Sequence, residues 1–303
     1  MEQGRHILSW RAGAVFLAPA AAFILIFLVL PFFVVFLLSF TNATLTAGIG
    51  TGASVVGLRN YASLFNLHNW MVSGEFGSAL RISFVFVVGS ALLGQAVLGL
   101  AIAAVFHRRR GWVRELVSTL VILAWIIPDV VVAFMWIAFL DRDFGTVNAI
   151  LSRLGLGRPD WLISYPLLSI IIFNTWRGTA FSMLLFSSAL ATIPPSYHET
   201  AAVAGATSWQ TFRDVSLPLI RTHIVTDIIL ITMWTFNTFT PFLITGGGPA
   251  FRSDLVSIYT FRVAFRFFEF GQGAAVAVIM MLINLVLALI YLTSLRRQAV
   301  VTG

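Results

Sequence analysis

Six long apolar runs, at 12–40, 79–106, 116–140, 165–190, 224–244 and 274–295, constrain this chain more than any other feature. A bilayer core about 30 Å thick is crossed by roughly 20 helical residues, and each run reaches that length. Inside lipid every backbone N–H and C=O must be satisfied within the protein, so only helices and closed barrels can span. Long uninterrupted runs without strict alternation select helices. The expected fold is all-α: a polytopic membrane protein of six transmembrane helices, with residues 1–303 forming a single membrane domain. The composition agrees, at 59% hydrophobic and 10% charged residues with a mean hydropathy of +0.93. Arg5, Arg11 and "APAAA" give the first run some features of a signal peptide, but it exceeds an h-region of about 7–15 residues and is expected to remain as a span.

All basic residues are arginine, and the chain has neither lysine nor cysteine. Without lysine there is no Walker A loop and no Schiff base. Without cysteine there is no disulfide and no thiolate nucleophile or metal ligand. The net charge of +7 lies between apolar runs, where it orients the chain in the bilayer rather than binding nucleic acid. Arg5, Arg11, Arg108, Arg109, Arg110, Arg114, Arg213, Arg221, Arg296 and Arg297 fall in short segments on one side. Arg59, Arg142, Arg153, Arg158, Arg252, Arg262 and Arg266 fall on the other. The first set is the denser, so both termini and the connector between the fourth and fifth runs are expected to be cytoplasmic.

That connector, "YHETAAVAGATSWQTFRDVSLPLI", is small-residue-rich and half polar. Ser196 with Glu199, and Thr207 with Gln210, each have the spacing of a capping box. Two short helices are expected, the first starting at Tyr197 and ending at Gly205, the second kept from running into the fifth span by Pro218. Ala201, Ala202, Gly205 and Ala206 leave one flank nearly bare, suited to close approach by another surface. An interfacial linker helix fits the same pattern. A DNA-binding helix-turn-helix does not suit a segment tethered to two spans.

The same segment resembles the cytoplasmic signature of permease subunits in binding-protein-dependent ABC importers: Glu-Ala-Ala, three residues, Gly, nine residues, Ile, one residue, Leu-Pro. Here Glu199, Thr200 and Ala201 are followed by Gly205, Val215, Leu217 and Pro218 with every spacing kept. Thr200, Val215 and Ala204 depart from the common residues. "LAPAAAFILIFLVLPF", "GLRNYASLF", "WIIPDVVVAFMW" and "ITGGGPAFRSDLVSIYTFRVAF" are similar, in order, to segments of the sugar and glycerol-phosphate branch. The resemblance implies a type I importer permease in a bacterial or archaeal inner membrane, with a coupling helix pair at 196–218. It implies a second permease subunit, usually a related but distinct chain, two ABC ATPase subunits that bind ATP–Mg, and an external solute-binding protein. This chain would itself be non-catalytic, with no cofactor or metal of its own, and would move a sugar or polyol by alternating access.

Ionisable groups within spans mark candidate pathways. Asp129 and Arg177 are two such groups, but counted along straight helices they differ in depth by about 10 Å. Arg177 is thus expected either to strain toward Asp129 or to bind carbonyls freed at Pro128 or in the partner subunit. Asp227, Trp234, Asn237, Thr238 and Pro241 form a stripe on one face of the fifth run. It suits a sugar ring, and equally suits helix packing. Trp125, Trp136 and Asn174 are further candidates. An ion-coupled secondary transporter using Asp129 and Asp227 is the alternative function, although it leaves the connector motif unexplained. A membrane-embedded enzyme is third, since the histidines are scattered.

Overall fold

The computed structural model describes residues 10–48, 52–66, 68, 70, 72–107 and 111–301. Arg5, Arg108, Arg109 and Arg110 lie outside them, as do the side chains of Arg11, Arg296 and Arg297. The described residues form helices and loops, with one isolated bridge between Thr41 and Val55 and no strand. Four helices are long and apolar enough to cross a membrane: Ala14–Leu38, Phe76–Phe106, Pro166–Ala191 and Phe270–Thr293. Two bent pairs bring the number to six if each is one span: Trp112–Ile126 with Asp129–Phe139, and Ser208–Leu219 with Arg221–Asn237.

The third run was expected as one helix, and the structure breaks it by 110° at Ile127 and Pro128. Proline has no N–H to give and pushes the residue before it out of the helical region. Ile127 accordingly takes φ −61°, ψ 133°. The fifth run breaks as well. Its helix Arg221–Asn237 ends at extended Thr238, and a separate helix Thr240–Thr245 begins with Pro241 in its first turn, where a missing N–H costs nothing.

The chain forms two compact units, Met1–Ser63 with Thr260–Ile279 and Leu64–Tyr259 with Met280–Gly303. In the first, the helix Ala14–Leu38 buries none of its span window within the chain. Asn60 ties the following segment by donating to the carbonyls of Ser39 and Thr41, both at 2.8 Å. In the second unit, the helix Pro166–Ala191 is central. Its Ile170, Phe173 and Phe186 are fully buried, joining two apolar clusters with Phe86, Val132 and Leu255 toward one end and Ala103, Leu190 and Ile220 toward the other. Small residues let the second span approach it closely: a Cβ on Gly99 would stand 2.5 Å from the Ser182 Cβ. Residues 87–96 of the second span form a π-helical stretch, a distortion that often marks functional positions.

Candidate functional site

The two helix breaks bring polar groups to one place. Asp129 is the first residue of its helix after the break in the third span, and Thr240 is the first after the break in the fifth. Arg177 Nη2 makes an ion pair with Asp129 Oδ1, and the Thr240 hydroxyl donates to Asp129 Oδ2. The direct pair that straight-helix counting disfavoured therefore forms. The 110° bend invalidates the count, because depth past Pro128 no longer grows by a full helical rise per residue.

A cavity of about 210 Å³ opens beside this pair, lined by Trp125, Asp129, Asn174, Arg177, Trp234 and Thr238 together with Gln95, Phe173, Gly178, Thr235 and Thr240. Trp125 and Trp234 are 43% and 54% exposed and both contact the Phe181 ring, at 6.3 and 4.6 Å between centroids. Behind them a buried amide and hydroxyl network fixes the wall. Asn174 donates to Ser90 Oγ at 2.9 Å and Thr235 Oγ1 at 3.4 Å, and Gln95 donates to the Asn174 carbonyl at 3.1 Å. Arg177 Nη1 is buried with no hydrogen-bond partner.

The fifth-span stripe does not act as one face. Asn237 leaves the cavity to exchange reciprocal amide hydrogen bonds with Asn284, at 2.8 and 3.0 Å. Asp227 is fully buried and accepts from Ser182 at 3.0 Å, and Pro241 is buried in the short helix. The chain changes direction at Thr238, so residues on either side of it cannot share a helical face. Trp136 packs on Phe173 and Trp176 instead of lining the cavity. Gln95, Thr235 and Thr240 escaped the sequence argument. Gln95 had a signal, an amide within an apolar run, whereas Thr240 becomes a ligand of Asp129 only through the two breaks.

The connector is the second candidate site. Its first helix is Pro195–Val203, starting two residues before the expected Tyr197. Pro195 itself is the first helical residue, which places Ser196 inside the helix, so the Ser196–Glu199 capping box does not form. The helix ends in a Schellman motif: Ala206 N donates to Ala201 O and Gly205 N to Ala202 O, both 3.0 Å, with Gly205 at φ +76°. The Thr207–Gln210 capping box is formed, at 3.3 Å to Gln210 N and 2.8 Å from Thr207 N. The second helix, Ser208–Leu219, does not run unbroken into the fifth span, as Pro218 predicts. A π-helical turn at 212–216 absorbs the proline, and the 70° bend follows at Ile220.

Glu199, Thr200, Gly205 and Pro218 are exposed, while Ala201, Val215 and Leu217 are half-buried. Val203 is 91% exposed and Trp209 66%, and a Cβ on Gly205 would meet nothing within 4 Å. Buried His198, whose ring lies 6.3 Å from that of His107, holds the first helix against the end of the second span. Arg213 donates to Asp214 at 2.7 and 3.0 Å, and this hydrogen bonding holds the Asp214 carboxyl below its ordinary range. Both side chains are exposed, so the pair contributes little to stability.

Residues 95–299 match the family described as binding-protein-dependent transport system inner membrane component. The chain is 29% identical to the sulfoquinovosyl glycerol transport system permease protein SmoG of Agrobacterium fabrum, over 93% of this chain and 89% of the relative. It is 27% identical to the trehalose/maltose transport system permease protein MalF of Thermococcus litoralis, over 93% and 92%. The probable ABC transporter permease protein YesP of Bacillus subtilis is 31% identical over 93% and 90%. A chain in the crystal structure of a bacterial alginate ABC transporter, in complex with an alginate pentasaccharide-bound periplasmic protein, shares the fold with a TM-score of 0.78 at 23% identity, covering 95% of this chain and 94% of that one. A chain of several membrane-length helices, matched over more than half its length, is a multi-pass transport permease and belongs to the inner membrane components of binding-protein-dependent transport systems.

Proposed function

We propose that the chain carries a sugar or related polyol inward by alternating access, driven by ATP that separate ATPase subunits bind with magnesium and hydrolyse. The observation that carries this proposal is the surface of the connector. Val203, Trp209 and the open flank at Gly205 are uncovered within the chain, and exposed apolar groups on a rigid capped element suit a protein partner. Glu199, Thr200, Ala201, Gly205, Val215, Leu217 and Pro218 form the coupling element that seats on the ATPase. Closure of the ATPase pair on ATP swings this element and the spans attached to it, the bistable arrangement of a ligand-driven switch.

A second permease subunit, related but distinct, and an external solute-binding protein complete the assembly; the periplasmic protein bound in the similar alginate transporter supports the latter. Both termini and the connector face the cytoplasm, in keeping with the arginine distribution. The cavity ringed by Trp125 and Trp234 is the solute path, with Asp129, Asn174, Arg177 and Thr238 as its polar lining. Asn237 fixes the fifth span to the sixth. The ion-coupled alternative has less to stand on, since Asp129 is held by Arg177 and Thr240.

Replacing Gly205 by Trp tests the coupling element. Uptake is expected to be abolished and the ATPase to dissociate while the subunit stays in the membrane. Normal uptake by that variant would count against the docking surface.

A further inference from the structure

Among the residues lining the cavity there is one cation and one anion, Arg177 and Asp129, and they hold each other. Asp129 stands at the N-terminal end of the helix Asp129–Phe139, where backbone N–H groups concentrate positive charge. In carriers with broken helices such ends commonly face an anionic group of the cargo. Here the chain's own carboxylate occupies the place, and it takes the Thr240 hydroxyl as well. The rest of the lining is uncharged amide, hydroxyl and aromatic surface.

We propose that Asp129 is the charge-selectivity determinant of the path. By occupying Arg177 and Thr240 it withholds the guanidinium from the solute, so the cavity takes an uncharged polyhydroxy ring and rejects one bearing a carboxylate or sulfonate. This rests on reading the cavity as the solute path. An incoming anion meets the Asp129 carboxylate, and like charges a few ångströms apart repel. A hydroxyl instead donates to the open face of that carboxylate, whose side chain is 53% exposed. A volume of about 210 Å³, below the roughly 300–1,000 Å³ of sites for drug-sized ligands, suits one ring.

The test uses sugar pairs that differ by one carboxylate, methyl glucoside with methyl glucuronide and methyl galactoside with methyl galacturonide. Each is titrated against the full chain with its co-purifying subunits in nanodiscs of uncharged lipid, read by tryptophan fluorescence. The wild type is expected to bind the neutral member of at least one pair tighter by about tenfold or more. Asp129→Asn, which leaves Arg177 uncompensated, is expected to bring the ratio near unity or reverse it. The double variant Asp129→Asn with Arg177→Gln restores the neutral preference. Equal or tighter binding of the acidic sugar by the wild type, or an unchanged ratio in Asp129→Asn, overturns the proposal. Should that variant not reach the membrane, the wild-type ratio alone decides. If no sugar binds the wild type while cells still take up solute, the solute-path reading falls, and this proposal with it.

Discussion

At Asp129 one carboxylate accepts from Arg177 and Thr240 while half its side-chain surface stays open to the cavity. Removing a partner from a buried ion pair costs about 3–5 kcal/mol, and the open side of this pair reduces that. Arg177→Met is therefore expected to destabilise the subunit by about 1–3 kcal/mol. The loss should be partly recovered in the double variant with Asp129→Asn, as read by thermal unfolding in detergent. Asp227 behaves differently, being fully buried against Ser182 and away from the cavity. Asp227→Asn keeps an acceptor for Ser182, so uptake is expected to persist; a carrier coupled to ions through Asp227 would lose it. Both carboxylates were visible in the sequence as ionisable groups inside apolar runs. Their partners were not, because pairing depends on where the helices bend and which faces meet.

The connector shows which parts of an element are written locally. Thr207 and Gln210 form their capping box with bonds that span three residues, so sequence spacing sufficed. Ser196 and Glu199 have the same spacing but lie inside a helix that Pro195 starts earlier. Thr207→Ala is expected to cost about 1 kcal/mol and raise amide exchange over 208–212, whereas Ser196→Ala should change exchange in the first helix little. Gly205→Ala adds one methyl into open space, so its intrinsic cost is the left-handed backbone alone, about 1–2 kcal/mol. A loss of uptake far beyond that cost would report a partner surface at Gly205. In the third span, Pro128→Ala removes the cause of the break. A helix that straightens there carries Asp129 away from Arg177, and uptake is expected to fall with the subunit still inserted.

For the molecule as a whole, the absence of native cysteine permits a direct sidedness measurement. Trp209→Cys and Ala250→Cys are expected to label with a membrane-impermeant maleimide from opposite faces, Trp209→Cys from the cytoplasm. Labelling of both from one face would contradict the proposed topology. The sequence by itself determined the all-helical membrane class, the places of the apolar runs, the second cap of the connector and the absence of a phosphate-binding lysine. Each of these follows from chain-local properties: run length, cap spacing or residue type. Only the tertiary structure decided that Asp129 meets Arg177 and Thr240, that Asn237 turns to Asn284, and that Gln95 and Thr235 back the cavity wall. Those meetings join residues far apart in the chain, and they depend on bends and crossings whose geometry is set by packing between helices rather than by any one helix.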